Sequence, residues 1–458
     1  MKKDTLHLKA PGNWMNDPNG FIYYRGKYHL FYQHFPYAPV WGTMHWGHAV
    51  SEDLVHWEHL DIALFPTKYY DRNGVFSGSA LEKDGGLYLY YSAVRYLEND
   101  PENIHVSLPE QFETSQAMIV SKDGFHFDNW HDKKQIIPVI RDEEIGHPIN
   151  TRDPKVWREN GNYYMILGST CGGQAGRVLF YRSADGQNWE YASQYRHEGF
   201  GKIVECPDLF PLGDSHVFIG SPMCIGKPGE GYEHHSLCAA ASFDAETCSL
   251  RLTGKLQYID YGMDLYAPQT NLDKDGRRVL TAWMRMPEAV SPDGGKPWNG
   301  MMCLPRVIEM KRGHIYFRVH PSVEQYFSEE ITTAEYAAAA ASGLPLRIQT
   351  SLSEGESLEI GGYRIWVEDG TLKTDRSRVF GNITGPALTA SVPENCRRHE
   401  LDIFVEPNLI EIFTGGGKYV ISHVVYDLGD WLSGKVTRIF RHISTPPAAA
   451  PFPSCSYN

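Results

Sequence analysis

A strand-like segment that begins with glycine recurs five times between residues 26 and 283 of the chain. Each copy is rich in aromatic and β-branched residues, which favour β-strands. The copies read G-K-Y-H-L-F-Y-Q from Gly26, G-G-L-Y-L-Y-Y-S from Gly85, G-N-Y-Y-M-I-L-G from Gly161, G-D-S-H-V-F-I-G from Gly213 and G-R-R-V-L-T-A-W from Gly276. Repetition at intervals of 52 to 76 residues indicates one supersecondary unit that is used several times.

Three of the five copies carry an acidic residue eight or nine positions before the glycine: Asp17, Asp153 and Glu205. The equivalent positions of the other two copies hold uncharged residues, Ser77 and either Ala267 or Pro268. If the units surround one axis, equivalent positions point to one place, and the three carboxyl groups meet there. We interpret this as a catalytic arrangement.

A second repeat indicates how each unit continues. The pattern S-x-D-[LG]-x-x-[WF] occurs at residues 51–57, 121–127 and 183–189, each time after an apolar run and before another short strand. The aspartate closes a turn, and the aromatic residue anchors the next strand in the core. Four antiparallel strands in each of five units predict a five-bladed β-propeller.

The blade pattern ends near residue 310, so we predict a catalytic propeller over residues 1–310. Residues 311–342, which include a run of five alanines, are predicted to form a linker with a short helix. Alternating apolar residues in 343–445 predict a C-terminal β-sandwich, which makes the whole chain all-β. The Pro-rich residues 446–458 are expected to be a poorly ordered tail.

The bulk properties exclude several classes of partner. A formal net charge of −13 argues against binding to nucleic acid, because phosphates repel an acidic surface. The chain has no run of 18 apolar residues and no apolar leader, so we expect a cytoplasmic protein without a membrane partner. The eight cysteines form no CxxC pair, so we expect neither a zinc site nor a disulfide framework.

Three carboxyl groups at the mouth of a rigid β scaffold can serve several purposes. Two suffice for glycoside hydrolysis, since one attacks or activates water while the other protonates the leaving oxygen. The third can hold substrate hydroxyls. A calcium site and ordinary turn-forming acids are the alternatives. The turn W-M-N-D-P-N-G at residues 14–20 joins an aromatic ring, two amides and an acid, which suits a polyol ligand.

The sequence neighbours of the acids suggest how each one titrates. Arg152 precedes Asp153 and is expected to favour its ionised form. Glu205 lies between Val204 and Cys206, where burial is expected to raise its pKa towards the range of a general acid. Glu205 is therefore the predicted proton donor, and either Asp17 or Asp153 is left as the nucleophile.

The chain closely resembles glycoside hydrolase family 32, the β-fructofuranosidases, over about residues 6–306. The resemblance lies in an ordered set of motifs: W-M-N-D-P-N-G, F-Y-Q-H-F-P-Y-A-P-V-W-G, M-H-W-G-H-A-V-S, V-F-S-G-S-A, T-R-D-P-K-V-W, E-C-P-D-L-F, M-D-L-Y-A-P-Q-T and L-P-R. It implies that Asp17 is the nucleophile that forms a covalent fructosyl-enzyme, Glu205 the acid/base and Asp153 a non-covalent stabiliser. It also implies retention of configuration, with no cofactor and no metal.

The same resemblance implies a fructose pocket whose amide, guanidinium and aromatic groups come from Asn16, Gln33, Trp41, Phe76, Ser77 and Arg152. Trp283 is expected on the leaving-group side. Phe35 and Val204 depart from the family pattern. They are expected to affect binding of the leaving group more than the catalytic reaction. The polar segment 95–116 is predicted to be either an excursion that shapes the entrance or a solvated loop.

These observations favour a retaining β-fructofuranosidase that removes terminal fructose from a small sugar. Sucrose, sucrose 6-phosphate and short fructo-oligosaccharides are all candidate substrates. A fructosyltransferase or an exo-fructanase of the same family is one alternative, and a non-catalytic carbohydrate-binding propeller is an alternative of another class. A monomer or a homodimer is expected.

Overall fold

The structure, a computed structural model, describes residues 3–226, 231–292 and 294–445. The described chain is almost entirely β-strand, which confirms the predicted all-β class. The predicted tail at 446–458 lies outside the described residues. Within the described ranges, no helix is long and apolar enough to cross a membrane.

The strands between residues 3 and 319 form five sheets, numbered here in chain order. The first contains Lys3–Thr5, His56–His59, His45–Ser51, Lys27–Phe35, Asn13–Tyr24 and Trp298–Asn299; the second contains Gly74–Lys83, Gly86–Tyr96, Phe112–Ser121 and Lys134–Ile137. The third contains Arg152–Glu159, Asn162–Cys171, Ala175–Ser183 and Glu190–Arg196; the fourth contains Val204–Leu212, Ser215–Pro222, Leu237–Asp244, Ser249–Leu252 and Gln257–Tyr258. The fifth contains Leu265–Leu272, Arg278–Met284, Met301–Met302, Arg306–Lys311 and His314–Val319.

The five sheets contact one another in a closed ring. One strand of each sheet contacts its equivalent in the next sheet, and the fifth returns to the first; these strands are Asn13–Tyr24, Gly74–Lys83, Arg152–Glu159, Val204–Leu212 and Leu265–Leu272. Trp298–Asn299 then pairs in parallel with the start of Asn13–Tyr24 and joins the end of this region to its beginning.

The recurrent glycine is explained by a turn. In each of the first five sheets it lies one or two residues before the second strand of the repeat, with φ between 61° and 85°, at Gly26, Gly85, Gly161, Gly213 and Gly276. L-residues with a Cβ rarely adopt this conformation, whereas glycine does so without steric cost. The repeated glycine therefore marks five tight turns, one in each of these sheets.

The strands after residue 328 form two further sheets. The sixth contains Glu329–Ile331, Arg438–Arg441, Leu346–Ser353, Arg398–Glu406, Leu409–Thr414 and Tyr419–Val424; the seventh contains Thr389–Asn395, Thr371–Asp375, Tyr363–Glu368, Ser357–Ile360 and Leu432–Gly434. Both sheets contribute to one apolar core, in which Ile348 and Ile403 of the sixth meet Ile365 and Leu372 of the seventh.

The segment predicted as a linker is more structured than expected. The fifth sheet continues past the predicted boundary at 310, because the hairpin of Arg306–Lys311 and His314–Val319 completes it. Helices span Pro321–Glu324 and Thr333–Ala341, and the second begins with a capping box between Thr332 and Glu335. Short 3₁₀ turns at Glu198–Phe200 and Ser377–Val379 are the other helical segments of the described chain.

A buried ionic cluster joins the two groups of sheets. The His7 ring contacts the Glu406 carboxylate through Nδ1 and Glu411 through Nε2 at 2.8 Å. Arg306 also donates to Glu411, and Lys9 donates to Glu406 at 3.1 Å. Burial alone would lower the pKa of His7, but the two carboxylates outweigh it and raise that pKa to about 8. The same contacts outweigh burial at Glu406 and Glu411 and lower the pKa of each to about 2.

We expect the substitution His7→Gln to destabilise the protein in a pH-dependent way. Because the folded-state pKa of His7 is raised from 6.5 to about 8, its contribution is complete below pH 6.5 and is lost as the pH rises through 8. The loss in free energy of unfolding caused by His7→Gln should therefore shrink by about 2 kcal/mol between pH 6 and pH 9. Urea unfolding of both proteins at each pH measures this difference. His131→Gln, at an exposed ion pair, is the control, and a His7→Gln effect that is independent of pH would contradict the expectation.

Candidate active site

The acidic residues lie on strand irregularities that recur around the ring. In each of the five sheets the register between the first two repeat strands shifts at the same place: between Met15 and Pro18, Phe76 and Gly78, Arg152 and Lys155, Glu205 and Asp208, and Tyr266 and Gln269. Such a β-bulge bends the strand and redirects its side chains. Each of the five bulges contributes at least one residue to the lining of one cavity.

All ten residues predicted for the site line one cavity of about 480 Å³: Asn16, Asp17, Gln33, Trp41, Phe76, Ser77, Arg152, Asp153, Glu205 and Trp283. The cavity also includes residues that the sequence did not single out, Tyr96, Ser107, Phe112, Tyr232, His234, Tyr266 and Arg285. Its volume lies within the range typical of small-molecule sites.

Asp17 is held in one orientation by two neighbours. The Ser77 hydroxyl donates to its Oδ2 at 2.6 Å, and the Asn16 amide donates to its Oδ1 at 3.0 Å. Asn16 is itself fixed by the Trp14 indole, which donates to its Oδ1 at 2.7 Å. Burial raises the pKa of Asp17, and the Glu205 charge adds to this effect while the two hydrogen bonds oppose it.

Glu205 does not titrate as its sequence neighbours suggested. Arg152 donates to its Oε1 at 2.8 Å through Nη2, and the Tyr266 hydroxyl donates to its Oε2 at 2.7 Å. Burial is the largest influence and would raise the pKa of Glu205, but Arg152 and Tyr266 together outweigh it and lower that pKa. The expectation of a raised pKa was therefore wrong.

Asp153 also differs from the expectation. Its carboxylate accepts a hydrogen bond from the Cys206 backbone N–H at 2.8 Å, while the neighbouring Arg152 turns its guanidinium to Glu205. Burial raises the pKa of Asp153 to about 7, and the Glu205 and Asp17 charges add to this, although Arg152 opposes it. Arg152 thus favours the ionised form of Asp153 as predicted, but burial and the two neighbouring carboxylates outweigh it and the pKa is raised.

Two contacts of the acids were missed by reading the sequence. Tyr266 lies directly before the uncharged position of the fifth copy, and Cys206 lies directly after Glu205. The Cys206 thiol lies 3.5 Å from Asp17 Oδ2 and 3.7 Å from Asp153 Oδ2. Both residues lie at a repeat bulge, and this position is the sequence signal that identifies them. They were missed because only acidic residues were considered at these positions.

The remaining predicted residues form polar and aromatic walls. Gln33 is fixed by donating to the Val75 carbonyl at 3.0 Å. The Trp41 and Phe76 rings meet edge to face at 5.8 Å between centroids. Trp283 packs at the same separation against Trp14. Aromatic faces beside hydroxyl-binding groups suit a sugar ring.

The segment 95–116 shapes the entrance. Residues 97–111 connect the strands Gly86–Tyr96 and Phe112–Ser121, and their backbone hydrogen bonds fold them into a compact excursion. His105 within it forms a hydrogen bond with Thr43 at 3.0 Å and stacks on Tyr37, so the excursion packs against a loop of the first sheet. Ser107 lines the cavity. The structure thus favours the first of the two predictions for this segment.

Within the described ranges, the active-site cavity included, no group of three or more His, Cys, Asp or Glu side chains is arranged to hold a metal ion.

Comparison with known proteins agrees with this geometry. The family model described as the N-terminal domain of glycosyl hydrolases family 32 matches residues 7–321. The chain is 33% identical over 440 residues to a sucrose-6-phosphate hydrolase of Escherichia coli, covering 92% of this chain and 88% of the relative. It is 31% identical over 451 residues to a raffinose invertase of Escherichia coli, covering 93% of this chain and 90% of the relative.

Solved structures give the same result. The GH32 β-fructofuranosidase of Bombyx mori is 28% identical, with a TM-score of 0.77 and coverage of 96% of this chain and 93% of that one. The sucrose-6-phosphate hydrolase of Lactobacillus gasseri is 24% identical and shares the fold, with a TM-score of 0.82 and coverage of 96% and 93%. From the family match and these relatives, the chain belongs to glycosyl hydrolase family 32.

Proposed function

We propose that this protein is a retaining β-fructofuranosidase, which hydrolyses terminal non-reducing β-D-fructofuranosides such as sucrose through a covalent fructosyl-enzyme. The observation that carries the proposal is the arrangement of Asp17, Asp153 and Glu205 on three equivalent bulges around one cavity. The named relatives act on sucrose 6-phosphate and raffinose, both of which carry a terminal fructose joined through its anomeric carbon.

The first step forms a bond between Asp17 and the sugar. An Asp17 carboxylate oxygen attacks the anomeric carbon of fructose, the bond to the leaving oxygen breaks, and Glu205 transfers its proton to that oxygen. The hydrogen bonds from Ser77 and Asn16 support this role, because they fix the carboxylate before the substrate arrives.

Glu205 must carry a proton when the leaving oxygen departs. Its hydrogen bonds from Arg152 and Tyr266 favour its ionised form. Hydroxyls of bound fructose can accept hydrogen bonds from Arg152. The interaction between Arg152 and Glu205, which lowers the pKa of Glu205, then becomes weaker. We therefore infer that binding of the sugar prepares the proton donor.

Asp153 serves as the stabiliser in this mechanism. Its carboxylate can accept hydrogen bonds from fructose hydroxyls and attract the positive charge that develops at the anomeric carbon. In the second step Glu205 removes a proton from water, the water oxygen bonds to the anomeric carbon, and Asp17 leaves as a carboxylate. If a second sugar takes the place of water, the same intermediate gives fructosyl transfer.

The finer architecture belongs to the same proposal. We assign the first five sheets, through Val319, to a five-bladed β-propeller, supported by the ring of contacts between their innermost strands. The sixth and seventh sheets are assigned to a β-sandwich, supported by their common apolar core.

Incubation of the purified protein with sucrose, sucrose 6-phosphate and 1-kestose tests the function. We expect steady release of fructose above a heat-inactivated control, and NMR of the first product formed should show the β-anomer, since two displacements retain configuration. Release of the α-anomer would refute the covalent route. Binding of these sugars without any fructose release would instead support the non-catalytic carbohydrate-binding alternative.

A further inference from the structure

The backbone of Asp153 adopts an unfavourable conformation. Its φ of 65° lies in the left-handed region, which L-residues with a Cβ seldom occupy. Pro154 follows it, and a proline favours an extended conformation in the residue before it. A residue in such a conformation persists only where the surrounding structure holds it in place. The direction of the Asp153 carboxylate therefore depends on contacts from outside its own strand.

The second sheet supplies these contacts. The Ser92 hydroxyl, on the strand Gly86–Tyr96, accepts a hydrogen bond from the Asp153 backbone N–H at 2.8 Å. The same hydroxyl donates to Gln116 Oε1 at 2.9 Å. The Gln116 amide in turn donates to the carbonyl of Thr151, two residues before Asp153, at 2.9 Å. The backbone is therefore held at Asp153 itself and on its N-terminal side.

Ser79 holds the other side of the bulge. Its hydroxyl donates to the Pro154 carbonyl at 2.8 Å and accepts from the Val156 backbone N–H at 3.0 Å. Ser79, Ser92 and Gln116 come from three successive strands of the second sheet, and each is at most 1% exposed. Water therefore cannot replace the hydrogen bonds that they make. We name these three residues the second-sheet clamp.

The next bulge is held in the same way, with Asp153 as the acceptor. Cys206 occupies the place in the fourth-sheet bulge that Asp153 occupies in the third, directly after the residue at which the register shifts. Its φ of 45° is also left-handed, and its N–H donates to the Asp153 carboxylate at 2.8 Å. Ser92 thus supports Asp153 as Asp153 supports Cys206. A displaced Asp153 would also loosen the bulge that carries Glu205.

We propose that the second-sheet clamp positions Asp153 for catalysis, because it holds the left-handed backbone and so directs the carboxylate towards the hydroxyls of bound fructose. This inference rests on the proposed function, in which Asp153 is the stabiliser. The described lining of the catalytic cavity includes none of the three clamp side chains. They act through Asp153 and are therefore positioning residues.

Ser92→Ala tests the proposal, because it removes the acceptor of the Asp153 N–H and adds no bulk. We expect kcat/KM for sucrose to fall roughly 10- to 100-fold, since a small displacement of a group that acts on the transition state has an effect of this size. Rates are measured well below the melting temperature of each variant, so that only folded proteins are compared. An unchanged kcat/KM in Ser92→Ala would overturn the proposal.

Ser121→Ala is the matched control. Ser121 lies in the same sheet and is as deeply buried, and its hydroxyl also accepts from a backbone N–H, that of Gly124 at 2.9 Å. This turn does not contribute to the described lining of the catalytic cavity. The control should keep the wild-type kcat/KM, and a fall equal to that of Ser92→Ala would contradict the proposal.

A double-mutant cycle shows whether Ser92 acts through Asp153. Asp153→Ala removes the carboxylate and keeps the backbone N–H, so adding Ser92→Ala to it should lower kcat/KM less than twofold. A contact that is only structural would lower kcat/KM by the same factor in both backgrounds, and that result would refute the role of the clamp. Ser79→Ala repeats the cycle on the other side of the bulge and decides the question if Ser92→Ala does not fold.

A binding measurement separates this inference from the proposed function. Calorimetric titration with fructose requires no turnover. We expect Ser92→Ala to bind fructose roughly tenfold more weakly than the wild type, and to have no effect on binding in the Asp153→Ala background. This pattern supports the clamp even if the wild-type protein releases no fructose from sucrose. Equal dissociation constants in the wild type and Ser92→Ala would overturn the clamp, even if the wild-type protein hydrolyses sucrose.

Discussion

Asp17→Ala should lower kcat for sucrose by roughly 10⁴-fold or more, and no fructosyl adduct should form. Alanine has no atom that can bond to the anomeric carbon, so the covalent step is lost entirely. The hydrogen bonds that Ser77 and Asn16 donate to the carboxylate would also lose their acceptor. Initial rates measure the first effect, and mass spectrometry of acid-quenched protein measures the second.

The control for this experiment is Asp61→Ala, which makes the same chemical change at an exposed position between the first two sheets. It should retain the wild-type rate and the adduct. An adduct that persists in Asp17→Ala would overturn the assignment of the nucleophile and leave Asp153 as the remaining candidate.

Glu205→Ala is expected to lower kcat/KM for sucrose by roughly 10²- to 10⁴-fold, the usual contribution of general acid catalysis. Sucrose needs a proton on its leaving oxygen, whereas an activated aryl β-fructofuranoside does not. The loss on the aryl substrate should therefore be much smaller than the loss on sucrose. Paired measurements of kcat/KM on both substrates give this comparison.

Glu246→Ala serves as the control, because Glu246 is an exposed glutamate on a turn of the same sheet. Its kcat/KM should match that of the wild type on both substrates. If Glu205→Ala lost activity equally on sucrose and on the aryl substrate, its role as proton donor would be contradicted, and a role in binding would fit better.

The convergence of the site could be predicted because local signals determine it. A glycine turn and a bulge recur in each sheet, and both depend on residues close together in sequence. Once the sheets surround an axis, the same offset in each repeat leads to the same place. The three acids predicted from the repeat therefore line one cavity although they span positions 17 to 205, while the other seven predicted residues of the cavity were implied by the family resemblance.

The electrostatics of the site could not be predicted in the same way. Arg152 is adjacent to Asp153 in sequence, yet its guanidinium turns to Glu205, 53 positions away. Tyr266 reaches Glu205 from the next sheet. Both pKa expectations relied on sequence neighbours, whereas burial has the largest effect on each pKa and charged or hydrogen-bonding groups from other sheets add to or oppose it.

The end of the fifth sheet was also misjudged. The hairpin that completes it turns at Arg312 and Gly313 and lacks the S-x-D pattern of the earlier units. His234 lines the cavity and His235 is buried, although the glycine-rich segment that carries them shows none of the repeat patterns. The loop packs against parts of the chain that no local pattern identifies.

The pairing of Trp298–Asn299 with the start of Asn13–Tyr24 has a consequence for biosynthesis. The ribosome synthesises the chain from its N-terminus, so Asp17 is the first of the three acids to emerge. The interval between its synthesis and the synthesis of Trp298 is therefore the longest of the three. At roughly 5–20 residues per second, this interval is on the order of tens of seconds. All three acids are therefore present only late in synthesis, and a nascent chain that stops short of Trp298 lacks the strand that joins the end of this region to its beginning.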